Sequence, residues 1–163
     1  MDNYGYFDMN FEEFEKFLLS QECYDNHDVF IIDVNQCIHH IDIDNHIEYQ
    51  AEMAKHLFKE EVTIKIEQME SYFNYNDGTI HVFHSPKNGP TFPEHTDTTD
   101  VMIVCLDGVK TMEIEGKPVT LQPNENVYIT TRTYHRALNY EKALMASHGI
   151  GDTTTLKRLH QNN

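Results

Sequence analysis

The chain has 163 residues and carries 12 Lys plus Arg against 27 Asp plus Glu, a formal net charge of −15. That length fits one domain with one good core, and the acidic surplus argues against nucleic acid and against anionic membrane surfaces, both of which select for basic residues. The longest apolar runs, such as Val29 to Ile32, fall far short of the roughly 20 residues of a membrane span, and no basic start leads into an apolar stretch, so a cytoplasmic protein with no membrane partner is expected.

Residues 1–9 are aromatic and acidic without a period and read as a loosely held lead-in. Asn10 then stands three residues before Glu13, the spacing of a capping box. Phe11, Phe14, Phe17 and Leu18 follow at helical spacing, which predicts a first helix. Residues 24–27 read as a loop, and 28–33, around Val29-Phe30-Ile31-Ile32, as a short buried strand. Residues 35–45, rich in His, Asp and Asn, have no assignable period. Ile47, Ala51, Ala54 and Phe58 recur at helical spacing and predict a second helix over 46–60.

After Glu61 the period changes. Val62, Ile64 and Ile66 alternate with polar residues, the period of a strand. Residues 72–75 and 80–83 flank Asn76-Asp77-Gly78, a hairpin signal. Further short strands are predicted over 93–98, 100–106, 110–115, 117–121, 126–130, 134–140 and 142–150. Many short, evenly spaced strands predict an all-β sandwich or barrel. The expected organisation is a single domain over 1–163: a lead-in of helices and a strand over 1–61, a barrel core over 62–150 and a polar tail over 151–163. That tail reads either as mobile or as a short final helix at 153–160.

Eleven histidines in this length are many, and one segment gives them a use. In Gly89-Pro-Thr-Phe-Pro-Glu-His95-Thr-Asp97, a strand over 93–98 would point His95 and Asp97 to one face, because side chains alternate along a strand. An imidazole and a carboxylate are two thirds of the two-His, one-carboxylate facial triad that suits non-haem Fe(II) and leaves coordination positions open. His135 is the candidate third ligand. It follows the Pro123-Asn124 turn and the strand Val127-Tyr128-Ile129, and ends the loop 130–134.

Gly89, five residues and His95-x-Asp97 resemble the first cupin motif, and Pro123-Asn-Glu, Val127-Tyr-Ile and then His135 resemble the second. Within the cupins, the chain is similar to the Jumonji-C-like branch of Fe(II)- and 2-oxoglutarate-dependent oxygenases, nearest to the ribosomal oxygenases. The likeness covers roughly residues 79–150. It implies a mostly β fold, a double-stranded β-helix or jelly-roll barrel with two N-terminal helices packed outside. It implies that His95, Asp97 and His135 hold iron and serve catalysis, and that Lys110, shortly after Gly108, binds the far carboxylate of 2-oxoglutarate. Ser147, where the family often has a hydroxyl, and His84, on the strand before the His-x-Asp motif, would complete the cosubstrate pocket. The second motif departs from the family's usual Pro-Gly-Asp and Pro-rich loop, having Pro123-Asn124-Glu125 and Thr130-Thr131-Arg132-Thr133-Tyr134. The implied reaction is hydroxylation of a small-molecule or protein substrate that the sequence does not name, with 2-oxoglutarate passing to succinate and carbon dioxide. The alternatives are a metal-dependent cupin dioxygenase or isomerase without 2-oxoglutarate, or a non-catalytic metal- or ligand-binding cupin. Cupins often pair through outer strands, so a homodimer is a possible assembly.

Other polar features have plainer readings. Asp100 reads as a structural acid rather than a fourth ligand. His39, His40, Asp42, Asp44 and His46 read as a solvated loop, since adjacent histidines on a strand face opposite ways. Cys23, Cys37 and Cys105 form neither a disulfide framework nor a metal spacing, and Cys105 reads as a small core residue.

Overall fold

Asn10 starts the first helix in the way its spacing to Glu13 dictates. In the computed structural model, which describes residues 7–150, the Asn10 side chain accepts the Glu13 backbone N–H at 2.8 Å, and Glu13 Oε1 accepts the Asn10 N–H at 2.9 Å. These two bonds satisfy donors that a helix start leaves without partners, and α1 (Phe11–Leu18) follows with Phe14 and Leu18 buried. The residues before it differ from expectation: Phe7 and Met9 are fully buried, so this part of the lead-in is core. Residues 1–6 and the expected final helix at 153–160 lie outside the described residues.

A helix not foreseen, α2 (Gln21–Asn26), occupies most of the expected 24–27 loop. Ser20 caps it by accepting the Cys23 N–H at 3.1 Å, and buried Cys23 fixes it to the core. The helical lead-in therefore has three helices rather than two. β1 (Val29–Ile32) follows as expected. Asp33 Oδ1 then accepts two backbone N–H groups, from Asn35 and Cys37, turning the unassigned segment back into β2 (Ile38–His40), which pairs antiparallel with β1. α3 (His46–Lys59) is capped by Asn45 and ends at Glu60, whose φ of 52° is left-handed. Its inner residues are Tyr49 and Met53, with the Tyr49 hydroxyl donating to the Leu18 carbonyl at 2.7 Å. The stripe Ile47, Ala51, Ala54 and Phe58, from which the helix was predicted, faces out.

The remaining strands are β3 (Thr63–Ile66), β4 (Thr79–Ser85), β5 (Val101–Gly108), β6 (Lys110–Ile114), β7 (Lys117–Leu121), β8 (Asn126–Ile129), β9 (His135–Leu138) and β10 (Ala143–Gly149). They form a seven-stranded sheet, ordered β2-β1-β3-β4-β10-β5-β8, and a three-stranded sheet, β7-β6-β9. Every pairing is antiparallel, a mostly β jelly-roll arrangement as expected. Two predicted strands are absent. Residues 72–75 form turns whose Phe73 is buried, and β4 pairs with β3 across the connection 67–78 instead of with 72–75. Glu70 accepts the Ile80 N–H there, so a side chain does what a hairpin partner would have done. Residues 93–98 touch the sheet by one bridge alone, between His95 and His135.

Alternation along the central strands separates two cores. Ile80, Val82, Val104, Leu144 and Ala146 face the helices and pack with Phe14, Leu18 and Met53. Ile103, Cys105 and Met145 face the other way, toward Met112, Leu121 and Ile129 between the sheets. Both faces of β5 are covered, which is why Val101 to Leu106 reads as a continuous apolar run rather than an alternating one. Cys105 is fully buried here as a small core residue, and burial pushes its thiol up to about 11. No helix among the described residues is long and apolar enough to cross a membrane.

His84, expected beside the cosubstrate, belongs to the helix-side core. It follows the parity of Ile80 and Val82, is 2% exposed and stacks on Phe14 at 5.0 Å between ring centroids. Neither ring nitrogen has a hydrogen-bond partner. Burial, helped by the charge of Lys142, pushes its pKa down to about 4. The unfolded chain therefore takes up this proton near 6.5 and the folded chain only near 4, so His84 makes stability fall as pH drops through that window. The full difference is about 3 kcal/mol. Urea unfolding of wild type and His84→Leu at pH 7 and pH 4.5 checks it: the variant is expected to lose markedly less stability on acidification.

Candidate metal centre

The one bridge that residues 93–98 make is enough to assemble a site. His95 N–H donates to the His135 carbonyl at 3.0 Å, and His135 N–H returns the bond at 2.9 Å. Directly opposed residues of an antiparallel pair present their side chains on one face, and the two imidazole centroids lie 4.5 Å apart. Asp97, two residues on, comes back to the same face. Its Oδ2 is 3.0 Å from His135 Nε2 and its Oδ1 3.7 Å from His95 Nε2. One ligand atom from each of the three lies within 4.8 Å of the others.

The backbone sets which nitrogen of each ring is available. His95 Nδ1 lies 2.8 Å from the Pro93 carbonyl and His135 Nδ1 2.8 Å from the Thr133 carbonyl, each two residues upstream. Carbonyls only accept, so each Nδ1 carries a hydrogen and each Nε2 faces Asp97; His135 Nε2 donates to the carboxylate when it is protonated and offers a lone pair to a metal once that proton leaves. A hydrogen bond of this kind is the usual outer support of a metal-bound imidazole. His135 is buried, while the side chains of Asp97 and His95 are 33% and 42% exposed toward the cavity. The hydrogen bond from His135 holds the Asp97 carboxyl below the usual carboxylate range, and the same bond raises His135. Two imidazoles and one carboxylate, converging on a point with one side open, are a donor set that fits a divalent transition metal.

The three residues stand in the wall of a cavity of about 680 Å³ between the two sheets. Lys110, the first residue of β6, also lines it and is 1% exposed. Its Nζ donates to Asn139 Oδ1 at 2.5 Å. Asn139 is itself held by bonds from Nδ2 to the Gly89 and Pro90 carbonyls. Among the described residues no carboxylate acts on Lys110, and burial pushes its pKa down to about 8. Ser147 lines the cavity from β10, on the face it shares with Met145. His84 does not; His81, of opposite parity on β4, lines it instead. Asn139 and His81 were both missed. Strand alternation holds the signal for His81, but nothing local in the sequence marks Asn139.

Asp100 is a structural acid, as expected, whereas the segment expected as a solvated loop is ordered: His39 and His40 lie in β2, and His46 opens α3 and bonds to the Leu19 carbonyl. Asp100 accepts from the Tyr128 hydroxyl at 2.5 Å and the Thr131 N–H at 2.7 Å, tying the loop after β8 to the start of β5. His39 pairs with Asp33 and His40 with Asp28, so the exposed histidine–acid segment does not converge on one point.

A profile of the cupin domain family matches residues 81–146. No curated protein sequence matches the chain. The crystal structure of Escherichia coli ribosomal oxygenase YcfD superposes with a TM-score of 0.67 at 13% identity, covering 93% of this chain and 46% of that chain. A structure of YcfD in complex with cobalt and 2-oxoglutarate gives a TM-score of 0.64 at 14% identity, covering 93% and 46%. A conserved protein of unknown function from Streptococcus pyogenes, SPY1581, shares 19% identity over 46% of this chain and 65% of its own, with a TM-score of 0.42. The chain thus spans less than half the length of YcfD, and at these identities the likeness is one of fold. The family match begins in β4 and ends in β10, neighbours at the centre of the large sheet, and takes in every strand between them: the strands that bring His95, Asp97 and His135 together are the part of the chain that matches the cupin domain profile.

Proposed function

We propose that the chain is an Fe(II)- and 2-oxoglutarate-dependent oxygenase that hydroxylates its substrate. The observation that carries the reading is Lys110: a cation almost wholly buried in the triad's own cavity, held by a neutral amide and lacking an anionic partner among the described residues. Buried charges are normally paired, so the cavity is complementary to a bound carboxylate. YcfD, a protein of like fold, has been solved with cobalt and 2-oxoglutarate, which supports bringing the same pair to this site.

Iron, when bound, supplies activation of dioxygen, with one oxygen atom going to the substrate and one to succinate as 2-oxoglutarate loses carbon dioxide. The chain's own residues do the rest. His95 and His135 present Nε2, oriented by the Pro93 and Thr133 carbonyls, and Asp97 supplies the carboxylate. Lys110 receives the far carboxylate of 2-oxoglutarate while Asn139 keeps its ammonium in place. Ser147 offers a hydroxyl from β10. Ile103, Met112 and Met145 provide an apolar wall that keeps water from the site. The substrate is a small molecule or a protein segment that enters between the sheets. The acidic surface would suit a basic protein.

Anaerobic titration with Fe(II) and then 2-oxoglutarate tests the reading. A weak visible charge-transfer band, formed only when a keto acid chelates the iron, is expected. Iron binding without that band would remove 2-oxoglutarate and leave a different metal-dependent cupin chemistry. No iron binding would leave the cupin fold alone.

A further inference from the structure

We infer that α3 is a self-association surface, along which two copies of this chain pack antiparallel about a two-fold axis. Ile47, Ala51, Ala54 and Phe58 lie at spacings of four, three and four residues, one straight line along the helix. All four are exposed, Ile47 by 79% and Phe58 by 88%. Isolated apolar residues on a surface are ordinary, but a continuous stripe along a helix of 14 residues is not what water selects.

The order within the stripe says what covers it. It runs large, small, small, large, and it is symmetric about the point between residues 52 and 53. An antiparallel copy centred there sets Ile47 against Phe58 of the second copy, and Ala51 against Ala54 of the second copy. The alanines let the two helices approach closely at the centre, and the large side chains close the ends.

Charge agrees with the same arrangement. One flank of the stripe carries Glu48, Lys55 and Lys59, all exposed, while Glu52, further round the helix, lies 3.4 Å from Lys55 Nζ and 3.0 Å from His56 Nε2. A two-fold axis brings each flank against itself, so Glu48 of one copy comes between Lys55 and Lys59 of the other, twice over. A parallel pair would instead set this flank against the opposite one, which carries His46 and Gln50, and would leave these charges without opposite partners. Both signs on the flank also argue against a membrane surface, which selects a basic rim. The other flank is taken up by the protein itself, since His46 and Gln50 bond to the Leu19 carbonyl. Tyr49 and Met53 belong to the helix-side core, so the pairing leaves the cavity between the sheets open. The inference is independent of the oxygenase reading.

A contact of one helix pair lies at the low end of interface sizes, so a dissociation constant of about micromolar order is expected. Analytical ultracentrifugation of the full chain from about 1 to about 500 μM spans that range. Wild type is expected to pass from monomer to dimer. Phe58→Asp should remain monomeric, and Glu48→Lys should weaken the dimer about tenfold or more, by setting three like charges together. Mixing Glu48→Lys with the double variant Lys55→Glu, Lys59→Glu should restore a heterodimer tighter than either protein forms alone. Each substitution lies on an exposed face, so an unchanged circular dichroism spectrum is expected and shows that the fold is kept. A wild type that stays monomeric throughout overturns the inference, leaving the stripe to other segments of the chain or to another protein. So does a dimer indifferent to Phe58→Asp. Failure of the charge-swapped mixture to pair overturns the antiparallel register.

Discussion

Lys110→Met is expected to make the protein more stable by about 1–3 kcal/mol and yet weaken 2-oxoglutarate binding by about 100-fold or more. The two effects share one cause. Lys110 is 1% exposed, and its ammonium meets one neutral oxygen, Asn139 Oδ1. Removing an ion from water without an opposite charge costs several kcal/mol, and an apolar side chain of like length avoids that cost. Asn139 keeps its place in the variant, because its Nδ2 bonds to the Gly89 and Pro90 carbonyls are untouched. On the proposed reading a bound dicarboxylate would offset the same cost in the wild type, and losing one partner of a buried charge pair weakens binding steeply. The pH dependence follows from the same burial. The folded chain releases this proton near 8 and the unfolded chain near 10.5, so the ligand-free protein should gain stability as pH rises from about 8 to about 10.5. The protonated form is the one that binds a carboxylate, so 2-oxoglutarate affinity should fall as pH rises above about 8. Urea unfolding and calorimetric titration of wild type and variant check both halves. A variant that is less stable and binds 2-oxoglutarate as before would make Lys110 a structural residue.

What could be read from the chain divides along a physical line: short-range spacing was legible and burial was not. His95-x-Asp97 is a two-residue relation, and the two side chains do share a face. They do so without the predicted strand, since the single bridge to His135 fixes both orientations. The distance from Pro123 to His135 was legible as a turn, a strand and a loop. The reciprocal bond that closes it joins residues far apart in sequence, and no local pattern carries it. Helical period placed α3, but the stripe that revealed the period faces solvent, because Tyr49 bonding to Leu18 and Met53 turn the other side inward. His84 and His81 both lie on β4. Choosing between them needs to know which parity faces the cavity, and a strand covered on both faces hides that. The burial that makes Lys110 informative arises from Asn139 and the loop before His95, which lie far from it in sequence.

Asp97→Ala and Asp100→Ala, three residues apart, are expected to fail in opposite ways. Asp97 contributes one of three convergent ligand atoms, and without it two imidazoles remain, so affinity for Fe(II) or Co(II) should fall about 100-fold or more. Its loss should cost the metal-free fold little. The Asp97 side chain is a third exposed, so its ion pair with His135 is screened by water and worth at most about 1 kcal/mol. The bonds that Thr131 and Arg132 make to residue 97 run to its carbonyl, which the substitution keeps. Asp100 is the reverse case. Its carboxylate ties the Tyr128 hydroxyl and the Thr131 N–H to the start of β5, and removing it should cost about 1–2 kcal/mol while the three metal ligands remain. Metal linkage separates the two in one experiment. A ligand at about 1,000 times its dissociation constant stabilises the folded state by about 4 kcal/mol, which for a chain of this length raises Tm by about 10 °C. Wild type and Asp100→Ala should show that rise from different starting points, whereas Asp97→Ala should start near wild type and barely respond. The rise should also shrink as pH falls, because the Asp97 hydrogen bond raises His135 and the imidazole must give up its proton to bind metal. If Asp97→Ala instead collapses the fold, or still responds to metal as wild type does, Asp97 is a structural acid and the ligand set must be sought elsewhere in the cavity wall.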